Sequence, residues 1–104
     1  MVREGRKKDP NAARKIRACF AQGTYRDTRH ASERKEERGI NILEIERVVE
    51  SGRWVKAHDL FHEEHQAWNY AMVGKTIDGR HLRIAVALDD ELCALIITAI
   101  DLDV

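Results

Sequence analysis

AWNYAMVG (67–74), HLRIAVAL (81–88) and CALIITAIDL (93–102) decide the fold of this chain. The first two runs flank Asp78-Gly79, and an Asp-Gly pair between β-prone segments is a strong hairpin signal. In the second run Leu82, Ile84, Val86 and Leu88 alternate with His81, Arg83, Ala85 and Ala87. A strand there sends four large apolar side chains to one face, and His81, Arg83 and two alanines to the other. The small alanines leave room for a ligand on that second face, which otherwise reads as a solvated strand surface. Trp68, Tyr70 and Met72 share a face of the first run and read as core rather than as a base-stacking platform. The third run is β-branched and apolar on both faces, which suits a central or doubly covered strand. Asp89-Asp90-Glu91 turns the chain into it.

Working towards the N-terminus, the period changes from two to that of a helix. Asp9 offers an N-cap acceptor and Pro10 a first helical position. Ala12, Ile16, Cys19 and Phe20 then form one stripe that Gly23 ends, predicting a helix over 10–22. TYRDTR (24–29) alternates and predicts a short strand. HASERKEERG (30–39) is rich in helix formers and closes on Gly39, giving a helix of about two turns. Asn41 with Glu44 is a capping-box pair, followed by Ile42, Ile45 and Val49 on one face and a stop at Ser51-Gly52. Arg53-Trp54-Val55 reads as a short edge strand. The expectation is one α+β domain over 10–104. Its N-terminal helices pack on one face of a three- to four-stranded antiparallel sheet, preceded by a flexible basic tail over 1–9.

A chain of 104 residues gives one domain, and 43% hydrophobic residues are too many for disorder to be the default. No apolar run approaches the ~18–20 residues that span a bilayer, and the charged N-terminus lacks the apolar stretch of a signal peptide. Cys19 and Cys93 lie in apolar surroundings and read as core residues, neither nucleophiles nor a disulfide scaffold. The reading is therefore of a cytoplasmic protein with no membrane partner. Lys+Arg and Asp+Glu balance at 18 each, yet residues 1–38 carry 12 cations against 6 anions and the remainder the reverse. Such halves either create a dipolar surface, attractive to phosphate or to an acidic partner, or fold together and cancel. A sequence pI near 7.0 is low for a dedicated nucleic-acid binder.

Three groups of residues carry chemistry. His30, Arg34 and Arg38 are spaced i, i+4, i+8 and share a helix face, where guanidinium forks suit phosphate and an imidazole can move a proton. The plainer alternative is a solvated helix whose Glu33, Glu36 and Glu37 pair with those cations. His81 and Arg83 form the second group. The third is HDLFHEEH (58–65). If helical, it gathers His58, His62 and His65 as ligands for zinc or nickel, although it lacks the H-E-x-x-H order and reads first as a polar connector. No glycine-rich phosphate loop and no nucleophile elbow is present.

The order of RHASERKEERGI (29–40), EIERVVESGRW (44–54), WNYAMVGKTIDGRHLRIAVALDD (68–90) and ALIITAID (94–101) resembles a small bacterial domain family of unknown function placed with the RelE/ParE-like toxin superfamily. The resemblance runs from Thr28 to Asp101. It rests on His30-x3-Arg34-x3-Arg38-Gly39-Ile40, on the Gly74 and Gly79 spacing in the hairpin, and on Ile97-Thr98 in the closing strand. It implies a RelE-like fold, an antitoxin as protein partner, and RNA as a substrate cleaved without a metal cofactor. Such cleavage needs a base, an acid and cations on the phosphorane. His30 and His81 are the candidates for acid and base, with Arg34, Arg38 and Arg83 on phosphate. The alternative is a non-catalytic interaction module, either a homodimer or an adaptor.

Overall fold

The computed structural model describes residues 7–64, 66–90 and 93–103, with the side chains of His30 and Arg34 outside that description. α1 (Ala12–Gln22) starts at Ala12 rather than at Pro10. The Asp9 carboxylate accepts the Asn11 N–H at 2.8 Å and the Asp9 carbonyl accepts the Ala12 N–H at 3.1 Å, so Asp9 organises a turn ahead of the helix. α2 (Arg29–Arg38) is capped by the Thr28 hydroxyl, which accepts the Ala31 N–H at 3.1 Å. α3 (Ile42–Ser51) carries the full capping box, with Asn41 and Glu44 exchanging bonds of 2.9 and 3.0 Å. Gly23 and Gly39 end α1 and α2 in the left-handed conformation, as their positions predict.

Six strands are present among the described residues: β1 (Tyr25–Asp27), β2 (Arg53–Trp54), β3 (Leu60–His62), β4 (Ala67–Lys75), β5 (His81–Asp89) and β6 (Cys93–Asp101). They form one sheet in the order β1-β6-β5-β4-β2, with β3 also paired to β4. The β4–β5 hairpin turns at Gly79 (φ 86°), where Thr76 N–H donates to the Arg80 carbonyl at 2.9 Å. A bulge opposite Ala85/Val86 gives β6 one extra residue, Ile97.

The expected antiparallel sheet of three or four strands is corrected on two points. The sheet has six strands among the described residues, and it is mixed, because β1 runs parallel to β6; the strand expected over 24–29 is present as β1, between α1 and α2. The edges explain the difference. β1 and β3 are three residues each and β2 is two; β1 pairs with a strand far along the chain, Tyr25 opposite Ala94, whereas β3 pairs with the strand that follows it, His62 opposite Ala67.

One sheet face is the core. Leu82, Ile84 and Val86 of β5 are fully buried, as the alternation predicts, with Met72, Ile96, Ile16 of α1 and Ile45, Val48 and Val49 of α3. Each such side chain contributes about 1.5–3 kcal/mol on burial. α3 seats on β4 through glycine: a Cβ on Gly52 meets the Val73 carbonyl oxygen at 2.3 Å, and one on Gly74 meets the Gly52 Cα at 2.9 Å. Cys19 and Cys93, expected as separate core residues, are joined in a disulfide with Cα atoms 5.9 Å apart across 74 residues. Packing of α1 over the start of β6 brings them together, and nothing local in the sequence signals that. No described helix is long and apolar enough to cross a membrane.

Candidate functional site

The other face of the central strands carries no helix-facing core, and its depth comes from small residues. Three cross-strand rows build it: Ile100–Arg83–Val73, Thr98–Ala85–Ala71 and Leu95–Ala87–Asn69. Alanines at 71, 85 and 87 leave a depressed floor between larger neighbours. A small cavity of about 120 Å³ over this floor is lined by Arg83, Thr98, Asn69 and His58, with Leu60, Ile97 and Ile100 as apolar wall. Asn69 and Ile97 also line a larger cavity of about 660 Å³, which reaches Thr28, His62, Asp89 and Asp90. A guanidinium thus marks one end of the groove and a pair of carboxylates the other.

His58 is set over the sheet by a short 3-10 turn (Lys56–His58) and by its neighbour Asp59. The buried Asp59 carboxylate accepts the Trp54 Nε1–H at 2.9 and 3.0 Å and the Ala71 N–H at 2.8 Å, and ion-pairs with Lys8 at 3.0 Å. Lys8 also lies 4.7 Å from the Trp68 ring centroid. This anchor fixes the segment that carries His58 and Leu60 beside β4. HDLFHEEH is therefore not a helix: His58 ends the 3-10 turn, His62 ends β3, and His65 lies outside the described residues. Among the described residues no group of three His, Cys, Asp or Glu is placed to hold a metal ion.

The expected site residues divide. Arg83 faces the groove beside the alanines, as the alternation of β5 predicts. His81, on the same strand face, lines neither cavity. Its Nδ1 lies 3.2 and 3.3 Å from the Asp103 carboxylate oxygens, and its N–H donates to Asp103 at 3.1 Å. The His81 N–H and ring together hold the Asp103 carboxyl below the usual carboxylate range. Arg38 is taken up in structure, donating to the Ala99 carbonyl at 2.6 Å. His30 and Arg34 lie on α2, whose N-cap Thr28 borders the larger cavity, but their side chains are outside the described residues.

Sequence reasoning missed Asn69 as a wall of both cavities and read His58 as part of a polar connector or, if helical, as a metal ligand. It also missed Arg80, which reaches Asp101 at 3.0 Å, Glu44 at 3.3 Å and the Gly39 and Arg38 carbonyls at 3.1 and 3.3 Å. No local pattern marks Arg80, because its partners come from α2, α3 and β6. The position of His58 was recoverable from Trp54 and Asp59, a donor and an acceptor five residues apart around a turn.

No curated protein and no solved structure matches the chain. Residues 28–101, from the N-cap of α2 to the end of β6, match the family described as a domain of unknown function (DUF4258), and the chain belongs to that family.

Proposed function

We propose that the protein is a RelE/ParE-like, toxin-type endoribonuclease that works without a metal, with the open sheet face as its RNA cleft. The observation that carries this reading is the cavity in which Arg83 and His58 meet Thr98 and Asn69 on an alanine floor. A guanidinium there holds a phosphodiester by charge-assisted hydrogen bonds and stabilises the phosphorane. An imidazole takes the proton of a ribose 2′-hydroxyl while that oxygen bonds to phosphorus. The P–O5′ bond then breaks, and a second imidazole protonates the leaving oxygen. His58 lines the cavity with the guanidinium, and His81, two residues before Arg83 on β5, has its Nδ1 side turned to Asp103; His30 and Arg34 remain candidates on α2, their side chains outside the described residues. Arg38 holds α2 to β6 in this reading. Asp89 and Asp90 repel phosphate from the far end and confine the scissile bond to the Arg83 end.

The test is cleavage of a mixed-sequence RNA oligonucleotide in EDTA. Wild type is expected to leave 2′,3′-cyclic phosphate ends, and Arg83→Ala and His58→Ala to cut about 10²–10³-fold more slowly at unchanged melting temperature. Absence of cleavage, together with normal growth of a bacterial host expressing soluble protein, overturns it. A second reading, a non-catalytic interaction module, is favoured by the apolar side of the same groove. Leu60 is 70% exposed, and Leu95, Ile97 and Ile100 lie only partly covered beside it. That reading predicts a homodimer or a protein complex that Leu60→Asp dissolves in sedimentation analysis, with no RNA cut.

A further inference from the structure

The open sheet face ends at β2, a strand of two residues paired to β4. Register places Arg53 of β2 opposite Val73, Val73 opposite Arg83, and Arg83 opposite Ile100. Trp54, the next residue, lies opposite Met72 and packs against the core. Alternation therefore puts Arg53 on the face that carries Arg83, with Val73 between them and their backbones about 9.5 Å apart, two strand spacings. Arg53 is exposed and Arg83 half-buried, and neither side chain makes a hydrogen bond or ion pair among the described residues. Lys75, two residues beyond Val73 on β4, is exposed on the same face and pairs in register with His81, which holds the Asp103 carboxylate. The row is thus apolar at β6, where Ile100 stands, and cationic from β5 to the β2 edge.

We propose that Arg53 is a second phosphate-binding residue of the open face, and that single-stranded RNA lies across the strands with its scissile phosphate at Arg83 and a neighbouring phosphate at Arg53. Resting on the ribonuclease reading, this assignment narrows the substrate to chains with a phosphate beside the scissile one, so that a dinucleoside monophosphate is a poor substrate. A guanidinium with no carboxylate partner keeps its charge and its fork of donors for phosphoryl oxygens. Two such groups on one sheet are held at a set separation by the backbone, and their flexible stems let the heads close on neighbouring phosphates. The row beside them, Thr98–Ala85–Ala71, leaves depth for ribose and base, and His58 borders it. Ile100 offers no hold on phosphate at the other end, so the RNA leaves the sheet over the β2 edge and not over β6. Contacts of this kind fix the position of the chain and carry no base preference.

The experiment titrates the full-length protein into a labelled 2′-O-methyl hexanucleotide of mixed sequence, which lacks the nucleophilic hydroxyl and is not cut, between about 50 and 200 mM salt. Each phosphate contact on a single strand contributes about 0.7 to the slope of log affinity against log salt. Arg53→Ala is expected to bind about tenfold more weakly at the low-salt end and to flatten the slope by about 0.7, and Arg53→Lys to restore the slope. Arg47→Ala, which removes an exposed cation from α3 on the other side of the sheet, is expected to change neither. Wild-type affinity and slope in Arg53→Ala overturn the assignment, as do equal weakening by Arg47→Ala, a slope that Arg53→Lys fails to restore, or a wild type that does not bind. Cleavage of the all-ribose hexanucleotide, followed in parallel, separates the two readings. Binding that depends on Arg53 without any cleavage overturns the ribonuclease reading and keeps the phosphate site. Cleavage by Arg53→Ala at the wild-type rate, with a dinucleoside monophosphate cut as well as the hexanucleotide, overturns the Arg53 site alone.

Discussion

Burying a carboxylate costs several kcal/mol in lost hydration unless its oxygens find donors. Asp59 finds the Trp54 indole, the Ala71 amide and Lys8, and in doing so pins the turn that carries His58. Asp59→Ala leaves an indole N–H and a strand N–H without their acceptor, so a loss of roughly 2–4 kcal/mol is expected in urea unfolding. Asp59→Asn, which keeps one acceptor oxygen, is expected to lose less. The two candidate arginines separate by the same measurement. Arg38→Ala forfeits a charged hydrogen bond to the Ala99 carbonyl, costing about 1.5–3 kcal/mol. Arg83 lines the groove, and Arg83→Ala is expected to stay within about 0.5 kcal/mol of wild type. If the losses are reversed, Arg83 is the structural residue of the pair. These roles were only partly legible. Alternation alone placed Arg83 on the open face, whereas Arg38 was read as a phosphate ligand because its partner carbonyl lies 61 residues away.

At the scale of elements, α3 and β4 meet backbone to backbone. The contact at Gly52 involves the Val73 and Val48 carbonyl oxygens, which cannot swing aside as a flexible side chain does. Gly52→Ala is therefore expected to destabilise by at least the 1–3 kcal/mol typical of overpacking, read as a lower melting temperature with helix and strand signals lost together. The same variant with an unchanged melting temperature means that α3 can ride higher on the sheet. Elements whose signals are local were legible. Asn41 and Glu44 cap α3 from within four residues, and Asp78-Gly79 turns its hairpin from between the two strands it joins. β1 and β3 were harder, because a three-residue strand is defined by the strand it lies against. TYRDTR showed that a strand was present but not that it would run parallel to β6. LFH within HDLFHEEH was masked by its charged neighbours. Asn69 gave no signal, and Thr98 none as a groove residue, until rows from three strands were set side by side.

For the whole molecule, the disulfide closes a loop across 74 residues, and a chain-entropy treatment gives such a link about 4 kcal/mol. The Cys19→Ser/Cys93→Ser protein is expected to unfold at correspondingly lower urea. Equal midpoints for the two proteins mean that the packing of Ala12, Ile16 and Phe20 and the Arg17 bonds to the Val49 and Gly52 carbonyls hold α1 without the disulfide. Alkali acts on the molecule through its two core-facing tyrosines. Burial first, and the bond to Glu46 second, raises the Tyr25 hydroxyl above its ordinary 10.0; burial raises Tyr70 despite the bond it accepts from the Asp9 N–H. Their neutral forms are favoured by folding, so this part of stability is intact below pH 10 and is lost as pH rises through the folded values. Tyrosinate absorbance is expected to rise in step with the loss of circular dichroism; an ordinary titration ahead of unfolding contradicts it. The parallel pairing of Tyr25–Asp27 with Ala94–Ile96 has a consequence for how the protein is made. The ribosome delivers the first strand of the sheet long before the strand it needs. While residues 28–93 are being synthesised, β1 has no partner, and Ile16 and Phe20 lack the surface of β6. Completion of this domain waits for β6 to clear the exit tunnel, and until then β1 is an unpaired strand edge of the kind that favours aggregation.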